Sequence, residues 1–230
     1  MQSSLPPGQK RRANLPRFGM LQYANRFPHS PDEVAVKITG DVAHPISLGA
    51  DLAALPRTNQ VSDLHCVTSW SVQKLRWSGF RFADVYEQII LPVAGPANGA
   101  NFVVLGAQDG YRSSLPLADL LNDDVLLADR LDGQPLSVAH GAPLRLIAPA
   151  HCGYKSVKHL QSLGFYREPF EFRPRYLRWM VHPQGRVAQE ERGRGLPGWL
   201  FRYLYRPLIG FAENLSRNGL AKYERQRRRI

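Results

Sequence analysis

Asp63-Leu64-His65-Cys66-Val67-Thr68-Ser69-Trp70-Ser71 sits inside a longer apolar and β-branched run, from Val61 to Val72. That run predicts a short, mostly buried strand carrying Cys66 and ending at an indole. The chain of 230 residues holds only two cysteines, so each needs an account. A thiol on such a strand is either a small core side chain or a soft ligand for a metal centre. The strand by itself favours packing; the residues around it have to decide.

Moving outward, Val34, Val36 and Ile38 alternate with Ala35 and Lys37, a strand closed by Gly40-Asp41. Asp51 to Leu55 is a short helical turn, and Phe82 to Leu91 has helical spacing that Pro92 is expected to stop. Phe102 to Leu105 is a strand, with a hairpin turn signal at Asp109-Gly110. Pro116 to Leu121 is helical. Val125–Leu131 and Gln134–Val138 flank a second turn signal at Asp132-Gly133. Leu144 to Ile147 is a strand, Ser156 to Leu163 a helix, and Arg175 to Val181 a late strand. Short strands mixed with short helices, without repeats or a βαβ succession, predict an α+β fold of mixed sheets rather than a dinucleotide fold. No glycine-rich phosphate loop of the P-loop type occurs.

The apolar fraction of 43% suits a packed soluble core, and no run of about 18 apolar residues marks a membrane span. No export signal follows Lys10-Arg11-Arg12, and two distant cysteines do not make a disulfide framework, so a reducing cytoplasm is expected. The net charge of +11 is unevenly placed. Residues 1–18 hold four basic and no acidic side chains, and residues 192–230 hold ten and two. Subtraction leaves 19–191 with 30 − 14 = 16 basic and 19 − 2 = 17 acidic residues, a neutral body between basic ends. Solvated tails fit that pattern better than a groove-reading nucleic-acid surface. The expected organisation is a flexible basic arm over 1–18, a folded domain over 19–185 and a basic, aromatic extension over 186–230.

Arg145 falls mid-strand between Leu144 and Leu146, where an unanswered guanidinium is expensive. Its partner is either an aspartate, with Asp124 and Asp129 as candidates, or a ligand anion. His140 stands five residues before it and Lys158 thirteen after, so the segment gathers further potential donors around it.

Three segments, in order, resemble the molybdopterin-binding domain of the sulfite oxidase family. The first is the Cys66 stretch followed by Trp77-Ser78-Gly79-Phe80-Arg81-Phe82-Ala83-Asp84-Val85, similar to the family's W-x-G-x-x-x-x-D-[VL]. The second, Asp124-Val125-Leu126-Leu127-Ala128-Asp129-Arg130-Leu131-Asp132-Gly133-Gln134-Pro135-Leu136, resembles D-x-x-L-A-[YF]-x-x-N-G-x-P-L. The third runs from His140-Gly141-Ala142-Pro143-Leu144-Arg145 to Gly153-Tyr154-Lys155-Ser156-Val157-Lys158, similar to [HN]-G-x-P-[LIV]-R … G-x-[KR]-x-[VI]-K. The resemblance covers roughly residues 15–185. It implies the sulfite oxidase-type fold, a molybdenum-molybdopterin cofactor with Cys66 as the protein's metal ligand, and oxygen-atom transfer on a small molecule. His140, Arg145 and Lys158 would bind the cofactor phosphate. Ser156 and Val157 would offer helix-start amides, and Asn25, in Tyr23-Ala24-Asn25-Arg26-Phe27-Pro28, would lie over the pterin.

The sequence also departs from that pattern. Sulfite oxidases carry arginines soon after the metal-ligand cysteine; here Val67-Thr68-Ser69-Trp70 follows. Asp129 stands where they have an active-site tyrosine, and an acid beside the metal would repel sulfite. Trp70-Ser71 looks more like the family's methionine sulfoxide reductase branch. The family's dimerisation domain has no counterpart in residues 186–230 and no haem attachment motif occurs, so a monomer exchanging electrons with a separate protein is expected. Leu196 to Ile209 mixes aromatic, apolar and basic residues, a composition that fits packing across the domain or docking on a membrane surface or partner. Two rival readings stand beside this one. The first is a basic module binding nucleic acid or membrane through its ends. The second is a zinc site from His65-Cys66 and His151-Cys152, disfavoured because neighbouring strand residues face opposite ways.

Overall fold

The computed structural model describes residues 4–19, 21–169 and 179–228. Among them one sheet is built on β5 (Trp70–Arg81), which pairs with β1 (Lys10–Arg12), β4 (Thr58–His65) and β8 (Leu126–Leu131). Strands β9 (Gln134–Pro135) and β10 (Arg145–Ile147) extend it from β8. The second sheet runs β3-β2-β11-β6-β7, with β2 at Val36–Gly40, β3 at Ile46–Leu48, β6 at Phe102–Ala107, β7 at Arg112–Pro116 and β11 at Leu160–Tyr166. The pairings β1/β5 and β2/β11 are parallel and the others antiparallel, so the sheets are mixed, as the α+β reading predicts. Among the described residues four α-helices accompany them, besides shorter 3-10 turns and a π-helical stretch: α1 (Phe82–Val85), α2 (Leu117–Leu120), α3 (Gly198–Tyr205) and α4 (Leu208–Arg227).

Strand period two sorts the side chains of the first sheet into two cores. Phe80, Leu127 and Leu146 face the second sheet and pack with its Ile38, Leu105 and Phe165. Trp77, Leu126, Ala128 and Ile147 face the other way, into a smaller cluster that includes Cys66 and Trp70. Emptying the first core at Leu127, by Leu127→Ala, costs about 2–5 kcal/mol. Arg145 stands two residues before Ile147 and so points into the smaller cluster, the side on which a site forms. Gly79 lets β5 and β8 approach where their register shifts: a Cβ there would lie 2.0 Å from the Leu127 carbonyl oxygen.

Several expectations need correction. Val61–Val72 is not one strand. Strands β4 and β5 meet in a hairpin whose tip holds Cys66 to Ser69, and Cys66 is a turn residue. Pro92 does not stop its helix, because α1 widens into π-helical turns over Tyr86–Ala94, and the chain leaves only at Gly95, φ 59°. A wide turn spares the clash between the proline ring and the carbonyl four residues back. Ser156–Leu163 is not helical: from Leu160 it forms β11, whose ladders with β2 and β6 outweigh local spacing. Of the late strand at 175–181, residues 175–178 lie outside the described residues and 179–180 form a helical turn.

The ends of the chain are knitted in. Within the basic arm, β1 pairs with Trp70–Val72, and Arg12 forms an ion pair with Glu213 of α4. The start of the 186–230 extension is held by Cys152 N–H donating to Gly185 O and Val187 N–H to Ala150 O. Helix α4 then packs on the helical turn Leu21–Ala24, and Gly219 permits that approach, since a Cβ would meet Ala24 O at 2.6 Å.

Candidate cofactor site

The Cys66 hairpin is fixed from three sides. Cys66 N–H donates to Trp70 O (2.7 Å) and Ser69 N–H to Cys66 O (3.0 Å), with Ser69 at φ 79°. Gln9 Nε2 of the N-terminal segment donates to Cys66 O (3.1 Å), and Arg192 Nη1 donates to Val67 O (2.5 Å). The Cys66 sulfur lies 3.1 Å from Thr68 Oγ1. Burial pushes this thiol up, and the Thr68 contact, Arg192 and Arg12 pull against that.

A cavity of about 160 Å³ opens in front of the hairpin, and Cys66, Arg145 and Lys158 all line it. Arg145, 1% exposed, donates to His140 O (2.7 Å) and Ser156 O (3.2 Å) and stacks 5.0 Å from the Trp77 ring centroid. Lys158 Nζ donates to Ala139 O (3.1 Å). Neither forms an ion pair with Asp124, Asp129 or any other carboxylate among the described residues. Burial pulls Arg145 down to about 9. It pulls Lys158 to about 7, helped by repulsion from Arg145 and Arg17. Gly141, at φ 114°, brings the two together: a Cβ there would lie 3.1 Å from Arg145 Cβ and 3.2 Å from Lys158 Cβ.

Leu15 to Gly19 form the opposite wall. Arg17 lies over the Phe27 ring at 3.9 Å, and its Nη1 is a buried donor with no partner among the described residues; so is Trp70 Nε1. The cavity therefore presents desolvated cations and unanswered donors, the complement of an anionic group rich in acceptors. One carboxyl joins them: Asp109, held in its turn by Tyr111 N–H (2.9 Å) and raised in pKa chiefly by burial.

The other predicted residues are distributed differently. Ser156 and Val157 line the cavity but not as a helix start, since their N–H groups donate to Gly153 O and Lys155 O in successive turns. His140 lies behind the wall. A carbonyl only accepts, so its contact with Leu15 O (3.1 Å) makes Nε2 the donor, and Ser137 Oγ donates to Nδ1 (3.0 Å). Burial lowers its pKa, which suits this neutral ring, and its work is to tether the wall. Asn25 is exposed and outside the lining, its Oδ1 against Gly219 of α4; Tyr23 reaches the cavity instead. Asp129 also lies outside the lining, paired with Arg57 (2.6 Å), so the argument that it repels sulfite fails. Missed in the sequence were Arg17, whose only signal was its place among basic residues, and Arg192, which nothing local singles out. Among the described residues no group of three or more metal-ligating side chains gathers, His65-Cys66 and His151-Cys152 included.

The model for the oxidoreductase molybdopterin binding domain matches residues 24–173. The uncharacterized oxidoreductase YuiH of Bacillus subtilis is 34% identical over 71% of this chain and 80% of its own length. A putative protein-methionine-sulfoxide reductase subunit, YedZ1 of Azospira oryzae, is 34% identical over 49% of this chain and 41% of its own. Sulfite oxidase of Arabidopsis thaliana is 30% identical over 58% and 42%. The sulfane dehydrogenase SoxCD from Paracoccus pantotrophus superposes with a TM-score of 0.55 at 23% identity, over 69% of this chain and 44% of that one, a likeness of fold. Apart from YuiH, the chain spans less than half the length of these proteins.

Proposed function

We propose that this chain, which belongs to the oxidoreductase molybdopterin-binding domain family, binds molybdenum-molybdopterin through Cys66, Arg145 and Lys158 and reduces a neutral sulfoxide-type substrate. The observation that carries this reading is the shared cavity: one buried thiol faces a buried arginine and a half-buried lysine, neither in an ion pair among the described residues. In it Cys66 supplies the protein's sulfur to the metal, a soft donor for a soft-leaning ion. Arg145 and Lys158 hold the cofactor phosphate by charge-assisted hydrogen bonds, with Arg17 and Trp70 offering further donors. The cofactor supplies two-electron oxygen-atom transfer when bound. The cavity is smaller than the ~300–1,000 Å³ of ordinary ligand pockets, so seating the whole group needs the Leu15–Gly19 wall to move outward.

The substrate reading rests on charge. Arg12 and Arg192, the cations acting on Cys66, each meet a carboxylate, Glu213 and Glu190 (3.5 Å), the latter shared with Arg202. Leu64, Val67, Phe18 and Trp70 line the cavity around Cys66, and the last two meet edge to face at 5.7 Å. Apolar and aromatic surface suits a thioether-like sulfur better than a hydrated dianion. The balance is sulfoxide + 2 electrons + 2 protons → thioether + water, the electrons coming from a separate carrier protein. A reducing cytoplasm is the proposed compartment, supported by two free, buried cysteines, and a monomer the proposed unit. The test is paired turnover by cofactor-loaded protein: methyl phenyl sulfoxide with reduced viologen as donor, and sulfite with ferricyanide as acceptor. Sulfoxide reduction in excess of sulfite oxidation is expected; sulfite oxidation alone overturns the substrate assignment.

A further inference from the structure

Helix α3 is apolar on both sides. Its inward residues Phe201 and Tyr205 are buried, and Ala212, Ser216 and Gly219 carry the same face along α4. Its outward residues are equally large and apolar. Trp199 is 54%, Tyr203 64% and, at the start of α4, Phe211 63% exposed, with Leu196, Leu204 and Leu208 beside them. A surface helix ordinarily turns polar residues outward, and a contiguous exposed apolar patch marks an interaction surface.

The rim of the patch is cationic. Arg206, half-buried, lies with its guanidinium 5.9 Å from the Tyr203 ring centroid at the edge of the patch. Arg217, Lys222 and Arg225 continue along α4. Residues 192–230 hold ten basic side chains against Glu213 and Glu224. Arg192, Arg202 and Arg227 are paired with Glu190 and Asp32, whereas Arg206, Arg217, Lys222 and Arg225 are in no ion pair among the described residues. The patch is the outer face of a helix rather than a groove, so a flat or yielding partner fits it better than an inserted peptide. No helix among the described residues is long and apolar enough to cross a membrane.

We propose that this face docks the protein on an anionic phospholipid bilayer. Trp199, Tyr203 and Phe211 enter the headgroup–acyl boundary, where amphipathic aromatic rings are favoured. Arg206 and Arg217 meet lipid phosphates beside them. The inner face stays on the domain, so docking requires no unfolding of α3 or α4.

The test is co-sedimentation of the full chain with vesicles of phosphatidylcholine, with or without phosphatidylglycerol, which needs no cofactor and is independent of the catalytic reading. Binding at least about tenfold tighter to the anionic vesicles is expected, falling as salt is raised. The triple variant Trp199→Ser, Tyr203→Ser, Phe211→Ser should lose that binding while keeping its thermal midpoint, because these side chains face outward. Arg206→Gln with Arg217→Gln should abolish the preference for anionic lipid. Equal binding to both vesicles, no binding to either, or undiminished binding by the triple variant overturns the proposal. So does a lipid-free dimer that the triple variant dissociates, which would make the face a contact between two copies of the chain.

Discussion

Arg145 and Arg192 are the same residue at nearly the same depth, 1% and 2% exposed, in two differently finished regions. Arg192 belongs to the C-terminal brace. It donates to Val67 O and Pro7 O, stands 3.5 Å from Glu190, and so joins the Cys66 hairpin, the N-terminal segment and the extension. Burial lowers it, and Cys152 and Glu190 pull it back. Arg145 has carbonyl oxygens and an indole face but no counter-charge among the described residues, and burial alone brings it to about 9. A buried cation with its carboxylate is a structural part; one that lines a cavity without such a partner is the kind that a ligand anion can answer.

The comparison can be broken where it is strongest. Glu190→Ala strips the charge partner from Arg192 and the ion pair from Arg202 (2.5 Å). A stability loss of about 3–5 kcal/mol is expected by denaturant unfolding; a loss below 1 kcal/mol would erase the distinction between the regions.

The cavity should answer in the opposite sense. Lys158→Met removes a desolvated cation that forms no ion pair among the described residues and should raise the stability of the cofactor-free protein by about 1–3 kcal/mol, while cofactor retention falls. The measurement is the thermal midpoint with and without bound cofactor. A variant that loses stability in the cofactor-free state contradicts the assignment.

The pH dependence sharpens the same point. Lys158 and Lys155 are held at about 7 in the folded chain, against about 10.5 when unfolded. Between those values the unfolded state binds more protons, so stability rises with pH from about 7 to 10.5. Loading with the anionic cofactor should remove the Lys158 share and leave that of Lys155, which is bonded to Ser114 O and Pro183 O away from the cavity. Urea midpoints across that range, before and after loading, read the difference.

The smallest effect belongs to Gly141→Ala. A Cβ at φ 114° crowds Arg145 and Lys158, and about 1 kcal/mol of destabilisation with slower cofactor uptake is expected.

How much of this was written locally varies by element. The spacing of Arg145 and Lys158 predicted their meeting because one strand and one following turn place both. The Asp109-Gly110 and Asp132-Gly133 turns fell where they were read, between β6 and β7 and between β8 and β9. The Cys66 turn did not. Val67 and Thr68 favour strands, no glycine or asparagine marks the tip, and Ser69 takes the left-handed conformation unannounced. The strand from Leu160 reads as helix until its ladders on both sides are known. Arg192 and Gln9 reach the Cys66 hairpin across 125 and 57 residues of sequence, a distance at which no local pattern informs. The basic arm was read from charge alone, yet β1 lies in the sheet because the Trp70–Val72 backbone offers it a ladder.

The central claim is that Cys66 and the unpaired cations share one ligand. Its most direct test is molybdenum and phosphorus content of protein purified from cells with ample cofactor supply, for wild type, Cys66→Ser and Arg145→Met with Lys158→Met. The account predicts molybdenum and phosphorus equimolar with the wild-type chain. Cys66→Ser should lose molybdenum while phosphorus is largely kept, and the double cation variant should lose both. Wild-type protein free of molybdenum and phosphorus, or a double cation variant that keeps both in full, would contradict it.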